Sequence, residues 1–260
     1  MKEKIILITG ATAGFGKATA YKFAEHGWNI IITGRRAERL KETEEDLAKN
    51  FSVKVLSLNF DIRNRKDVEQ AITFLPHDWK NIDVLVNNAG LAQGLSLIHE
   101  GDIDDWETMI DTNMKGLLYI SRQVMPIMVA QGHGHIINLG SIAGKQAYLK
   151  GNIYGATKFA VDAISKSMRI DLLPHGIKVT NVSPGACETE FSLVRYKGDA
   201  ERAKRVYEGY TPVSAADVAD VIFFAATRPP HVVLNEIEIT PLAQANAYYF
   251  VKKSDEAKKN

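Results

Sequence analysis

The sequence predicts an α/β fold: one doubly wound parallel sheet with helices on both faces. Three observations carry this. Short β-branched runs alternate with helical patterns along the whole chain. The runs are apolar at consecutive positions, as in Ile5-Ile-Leu-Ile8, Ile30-Ile-Ile32 and Val84-Leu-Val86, as strands buried on both faces require. A glycine-rich turn joins the first run to the first helical stretch.

Taken in order, residues 5–9 read as the first strand and 17–26 as a helix that Gly27 ends. Residues 28–33 form the next strand, and 37–49 a charged amphipathic helix. A strand at 54–59, a helix at 66–74 and a strand at 84–87 follow. Residues 104–126 read as one helix, 136–139 as a strand and 153–173 as a long helix. The last elements are a strand at 178–183, a helix at 215–226 and a strand at 236–239. The irregular stretch 185–212 is expected to be a mobile substrate lid with short helices. Residues 1–251 are expected to form a single catalytic domain, and the polar tail 252–260 to fray.

Composition narrows the function. Among 260 residues, 32 basic and 31 acidic side chains leave a formal charge of +1, which gives no attraction to nucleic acid or to a membrane surface. No apolar run approaches the roughly 20 residues of a membrane span. The start Met1-Lys-Glu-Lys reads as entering a strand at once, so no signal peptide is expected. The single Cys187 excludes an internal disulfide, so a cytoplasmic location is expected. No metal site is expected.

The first strand runs into Thr9-Gly-Ala-Thr-Ala-Gly-Phe-Gly16. Gly10, Thr12, Ala13, Gly14, Phe15 and Gly16 are therefore candidates for a loop that approaches a pyrophosphate at a helix N-terminus. The second strand ends at Arg35-Arg36, where an NAD site wants an acidic residue. Two guanidiniums suit a 2′-phosphate instead, so NADP(H) is expected. Asp61 and Ile62 are placed to flank the adenine, although a plain loop aspartate is the alternative. Asn88, Ala89 and Gly90 close the fourth strand at the carboxyl edge of the sheet, where a cofactor would lie.

Ser141, Tyr154 and Lys158 carry the chemistry. A phenol and an ammonium four residues apart share one helix face. The ammonium favours the phenolate, so Tyr154 is the candidate general acid/base. Ser141 follows a strand and can donate to a carbonyl oxygen where charge develops. The set suits reversible carbonyl reduction.

The glycine loop, the Asn87-Asn-Ala-Gly90 turn, a serine 13 positions before tyrosine, and Tyr154-x-x-x-Lys158 occur in the order of the short-chain dehydrogenase/reductase family. The chain resembles that family over almost its whole length. The resemblance implies a Rossmann-type sheet of about seven parallel strands and a homodimer or homotetramer. It also implies that Tyr154 and Lys158 both contact the cofactor, Lys158 through the nicotinamide ribose, and that Asn113 holds a water leading towards Lys158. Pro184 and Gly185 match the family's turn before a loop that covers the nicotinamide. Thr189 is then a candidate for the carboxamide or pyrophosphate, or simply a helix N-cap.

Residues 188–199, 105–113 and 134–138 resemble a subgroup, the NADP-dependent 3-hydroxy acid dehydrogenases. That likeness implies oxidation of small acids such as serine, allo-threonine and 3-hydroxypropionate-type compounds. Arg195 is the candidate cation for the acid's carboxylate, with Lys197 as its backup. A reductase of a 3-oxoacyl thioester, a sugar or a diketone is the alternative. The family loop after Pro-Gly commonly carries two aliphatic residues, where this chain has Ala186-Cys187, and Lys145-Gln146 is expected at the pocket mouth.

Overall fold

The computed structural model describes residues 3–252. Of the tail expected to fray, residues 253–260 lie outside the described residues.

Seven strands form one sheet in the order β3-β2-β1-β4-β5-β6-β7, and every neighbouring pair is parallel. They are β1 (Ile5–Ile8), β2 (Asn29–Gly34), β3 (Val55–Asn59), β4 (Val84–Asn87), β5 (Gly134–Leu139), β6 (Ile177–Pro184) and β7 (Glu236–Ile239). The first helices are α1 (Gly14–Glu25), α2 (Ala37–Asn50) and α3 (Arg65–Thr73). Next come α4 (Ile103–Ile110), α5 (Leu117–Gln131) and α6 (Asn152–Leu172). The last are α7 (Glu190–Arg195), α8 (Ala200–Arg205) and α9 (Ala215–Ala226).

Alternation along each strand builds two cores. Ile6, Ile8, Ile30, Ile32, Val84 and Val86 pack with α1, α2 and α9 on one face. Ile5, Leu7, Ile31, Leu85, Ile136 and Val179 pack with α3, α5 and α6 on the other. Burial on both faces explains the unbroken apolar runs. The strand order reverses between β1 and β4, and a ligand crevice opens at such a switch point beyond the carboxyl ends.

The expected helix at 104–126 is divided. Between α4 and α5 the backbone widens into a π-helix, Asp111–Gly116. Its residues Thr112, Asn113 and Gly116 are buried. Asn113 Oδ1 accepts from Leu91 N at 2.8 Å, and its Nδ2 donates to Leu91 O at 2.8 Å and to Thr157 Oγ1 at 3.0 Å. Widened turns of this kind cluster at functional sites. Residues 185–212 carry α7 and α8 and lie over the carboxyl edge of the sheet. No helix among the described residues is long and apolar enough to cross a membrane.

One core group makes folding depend on pH. His135 on β5 is 2% exposed and meets Thr180 Oγ1 through Nε2 at 2.7 Å, while its Nδ1 has no partner. Burial, helped by the Lys178 ammonium, pushes the imidazole down to about 3. The unfolded chain takes up that proton near pH 6.5, so this stability is complete above pH 6.5 and erodes as the pH falls towards 3. Urea unfolding followed by circular dichroism should show a loss approaching about 1.4 kcal/mol per pH unit from this residue in that window. His135→Gln should flatten that limb, and an unchanged slope would refute the assignment.

Candidate active site

The ends of β1 and β4 are tied together by side chains. Thr9 Oγ1 accepts from the backbone N–H groups of Asn88 and Ala89, each at 3.0 Å. Asn88 Nδ2 donates to Thr9 O at 2.8 Å and to Gly10 O at 3.1 Å. This contact needs glycine: a Cβ on Gly16 would sit 2.5 Å from Asn88 Nδ2, and one on Gly10 2.9 Å from Ala89 Cα. Gly10 and Gly14 also take left-handed backbone conformations, with φ of +67° and +52°. No side chain caps the N-terminus of α1 at Ala13, so its first N–H groups face the crevice. A Cβ-free cradle at a bare helix N-terminus fits a dinucleotide pyrophosphate.

At the outer end Arg35, Arg36 and Asp61 meet. Arg36 donates to Thr12 Oγ1 through Nε at 2.9 Å and Nη2 at 2.7 Å. Its Nη1 reaches Glu190 Oε2 at 2.8 Å, and Arg39 Nη1 reaches Glu190 Oε1 at 2.7 Å. Asp61 faces Arg35 Nη1 at 3.8 Å and is gripped by Arg63, with Nη2 at 2.6 Å. Against burial, which would raise it, Arg63 and then Arg35 hold the Asp61 carboxyl below its usual value. Arg39, Arg63 and Glu190 were not foreseen. Arg39 lies three residues beyond Arg36 on the first turn of α2, and that spacing was the available signal.

The proton-handling groups gather at the other end. Lys158 is 7% exposed, and its Nζ donates to Leu139 O at 2.7 Å and lies 5.9 Å from the Tyr154 ring centroid. Burial pushes this ammonium down to about 8. Ser141 Oγ accepts from Ala143 N at 3.1 Å and donates to Pro184 O at 3.4 Å. The Tyr154 phenol departs from the expected downward shift. Burial raises it, outweighing the Ser141 hydroxyl and the Arg195 guanidinium, which act the other way. The Lys158 ammonium, 5.9 Å from the ring centroid, does not outweigh this burial.

One cavity of about 570 Å³ joins the two ends. It is lined by every expected site residue except Gly16 and Asn113, which stand directly behind it. Ile62, Ala89, Gly90, Pro184 and Gly185 all face it. Thr189 lines it while capping α7, its Oγ1 accepting from Phe191 N at 3.2 Å. Arg195 approaches from α7, its Cζ 5.7 Å from the Tyr154 ring centroid and its Nη2 donating to Tyr148 Oη at 3.0 Å. Its Nε is buried and has no hydrogen-bond partner among the described residues. Phe191 packs edge-on to Tyr154 at 5.5 Å between centroids. Neither Tyr148 nor Phe191 stood out in the sequence, since an aromatic residue in a loop carries no spacing signal.

Two expectations are corrected. Lys197 is no backup cation: it binds Asp105 at 2.9 Å and Asp102 at 3.4 Å, two carboxylates that draw it out of the cavity. Lys145 is not at the pocket mouth, because Asp162 and Glu236 hold it against α6 and β7. Gln146 is spent on Ala247 N at 3.3 Å. Ala186 and Cys187, where the chain departs from the family's loop, both line the cavity; Cys187 bridges to Val213, and burial pushes its thiol up to about 12.

The profile of the short chain dehydrogenase family matches residues 4–198. The chain belongs to that family. It is 47% identical over 251 residues to the NADP-dependent 3-hydroxy acid dehydrogenase of Salmonella typhi, spanning 96% of this chain and 100% of the relative. It is 44% identical over 250 residues to sulfoacetaldehyde reductase 2 of Chromohalobacter salexigens, covering 96% and 98%. Among solved structures, the closed form of serine dehydrogenase complexed with NADP+ superposes with a TM-score of 0.89 at 45% identity, covering 95% of this chain and 98% of that one. Membership makes this chain an oxidoreductase acting on CH–OH groups.

The buried Lys158 charge has a measurable cost. Its ammonium titrates below the free value of 10.5, so folding is disfavoured by the buried charge below about pH 8 and regains stability as the pH rises towards 10.5. Lys158→Met should therefore be more stable at pH 7 by about 1–3 kcal/mol. Calorimetry should show a Tm rise of about 2–10 °C, shrinking above pH 8. A lower Tm at pH 7 would mean that the bond to Leu139 outweighs the buried charge.

Proposed function

We propose that this chain transfers a hydride between NADP and the 3-hydroxyl carbon of small 3-hydroxy acids, such as serine, allo-threonine and 3-hydroxypropionate-type compounds. The observation that carries this is the Arg195 guanidinium: anchored on Tyr148, adjacent to Tyr154, with a buried Nε that has no partner. A buried donor left open beside a general acid calls for an anionic acceptor, which a substrate carboxylate supplies. The 3-hydroxy acid dehydrogenase and serine dehydrogenase relatives support this choice. The sulfoacetaldehyde reductase relative supports a second reading, a sulfonated aldehyde, which needs the same fixed cation.

When bound, NADP supplies or takes up the hydride. The loop at Gly10, Thr12, Ala13, Gly14, Phe15 and Gly16 would hold its pyrophosphate against the N-terminus of α1. Arg35 and Arg36 would receive the 2′-phosphate, with Asp61 and Ile62 beside the adenine. Asn88, Ala89 and Gly90 would line the path towards the nicotinamide, with Pro184, Gly185 and Thr189 at its far side. Lys158 would bond the ribose hydroxyls.

In the direction of reduction, Ser141 donates a hydrogen bond to the carbonyl oxygen, and Tyr154 gives its proton as the alkoxide forms. A phenol whose pKa burial has raised stays protonated and so arrives ready for this role. In the direction of oxidation Tyr154 accepts the hydroxyl proton, and the charges of Lys158 and Arg195 stabilise the phenolate. Asn113, bonded to Thr157 beside Lys158, would hold the water through which the proton leaves. Residues 1–251 form a single catalytic domain in which residues 185–212 act as the substrate lid, and the enzyme works in the cytoplasm. Assembly as a homodimer or homotetramer would cover the exposed Leu118 and Phe159 of α5 and α6.

Tyr154→Phe should lower kcat in both directions by about 10²- to 10⁴-fold while weakening NADP binding far less, by no more than about tenfold. Arg195→Ala should lower kcat/KM for serine-like acids by about 10- to 100-fold and spare a neutral diketone. Equal losses on both substrates would refute the carboxylate contact. Arg36→Ala should reduce the NADP-over-NAD ratio of kcat/KM, and an unaltered ratio would refute the phosphate contact.

A further inference from the structure

Ser141 lies just beyond β5 and caps a one-turn helix, Ile142–Gly144. A helix of three residues has no stability alone, so its position comes from whatever holds it. That position decides where the serine points. Ala143 N donates to Ser141 Oγ at 3.1 Å, and Gly144 N donates to Ser141 O at 2.8 Å. Wherever the turn sits, the hydroxyl follows.

The turn is held at both ends, and the two holds meet on one carboxylate. At its start, the place of a Gly140 Cβ is filled by Asn181 Oδ1 and Ser183 Oγ of β6. At its end, Gly144 lies against α6, where a Cβ would come 2.5 Å from Lys158 O. The next residue, Lys145, reaches across to Asp162 of α6 and Glu236 of β7. Asp162 is 8% exposed. Its Oδ1 accepts from Lys145 Nζ and from Asn181 Nδ2, the latter at 3.2 Å, and its Oδ2 accepts from Lys166 Nζ at 2.7 Å. Against burial, which would raise it, Lys145 and then Lys166 hold this carboxyl well below its usual value. Asp162 also stands four residues beyond Lys158, one turn along the same face of α6.

We propose that Lys145 and Asp162 are positioning residues for the reaction, a clamp that sets the Ser141 hydroxyl against Tyr154 and Lys158. This rests on the reading of Ser141 as the donor to the carbonyl oxygen. Such a donor works only when it is held within about 0.5 Å of its place. Asp162 gives the serine turn and the tyrosine-lysine helix a common anchor, and through Asn181 and Glu236 it ties both to β6 and β7. Neither Lys145 nor Asp162 lines the cavity, so their effect on turnover is indirect. Removing Lys145 frees the far end of the turn while Asp162 keeps Lys166 and Asn181.

The test is a double-mutant cycle in the full-length enzyme. Turnover is measured on a 3-hydroxy acid and on a neutral diketone, since Ser141 serves any carbonyl oxygen, and NADP binding is measured by calorimetry. Ser141→Ala should lower kcat by about 10²- to 10³-fold. Lys145→Met should lower kcat by about five- to thirtyfold, with KM and the Kd for NADP within about twofold of wild type. Lys145→Arg should recover most of that loss. In the Ser141→Ala enzyme, Lys145→Met should cost less than about twofold, because the group it positions is gone. Glu236→Gln leaves Lys145 paired with Asp162 and should give a smaller loss with the same dependence on Ser141. It decides the question should Lys145→Met not melt cooperatively. Equal losses in the two backgrounds, or a wild-type kcat in Lys145→Met, would overturn the clamp while leaving Ser141 in its role. A wild-type kcat in Ser141→Ala would overturn the reading of Ser141 itself, and the inference with it.

Discussion

The junction of Thr9 with Asn88 is the constraint on which the rest of the site depends. β1 and β4 are neighbours whose following chains leave in opposite directions, and the crevice between them would open without a tie. Four hydrogen bonds close it, using Thr9 Oγ1, Thr9 O and Gly10 O as acceptors. The tie also demands the missing side chains at Gly10 and Gly16, since a Cβ at either position would strike Ala89 or Asn88. The same contact that aligns the strands thus produces the bare backbone that a pyrophosphate needs.

Behind the cavity a second polar layer fixes the proton-handling end. Asn87 Nδ2 donates to Ser121 Oγ and Asn138 Oδ1, and Asn138 Nδ2 donates to Ser165 Oγ. These buried bonds tie β4 and β5 to α5 and α6, the helices on the same side as Lys158. Asn113 adds the π-helical turn to this layer through Leu91 and Thr157. Within so rigid a frame the Lys158 ammonium can be kept buried with Leu139 O as its hydrogen-bond acceptor, an arrangement that costs stability. A reactive site held against its own folding preference is a common trade-off in enzymes.

The two ends of the cavity use charge differently. At the Tyr154 end burial weakens charge, raising the phenol and lowering the ammonium, so proton transfer there responds to whatever enters. At the arginine end the groups are exposed and paired, and water moderates each contact. α7 bridges the two regimes, with Glu190 at the screened end and Arg195 at the buried one.

The sheet was legible because its cause is local: each apolar run writes its own burial, and six of the seven strands needed no more than one residue of adjustment at either end. The glycine loop, Ser141, Tyr154 and Lys158 were legible for the same reason, since spacing along a helix or turn determines who shares a face. The π-helical break at Asn113 was not, because its cause is a backbone partner at Leu91, 22 residues away. Nor were the pairings of Lys197 with Asp105, Lys145 with Glu236, and Glu190 with Arg36, which join residues 91 to 154 positions apart. The sequence by itself determined the elements, the cradle and the kinds of group available for chemistry. Only the tertiary structure decided which charges those groups meet, because ion pairs form between whichever side chains the folded sheet brings within reach.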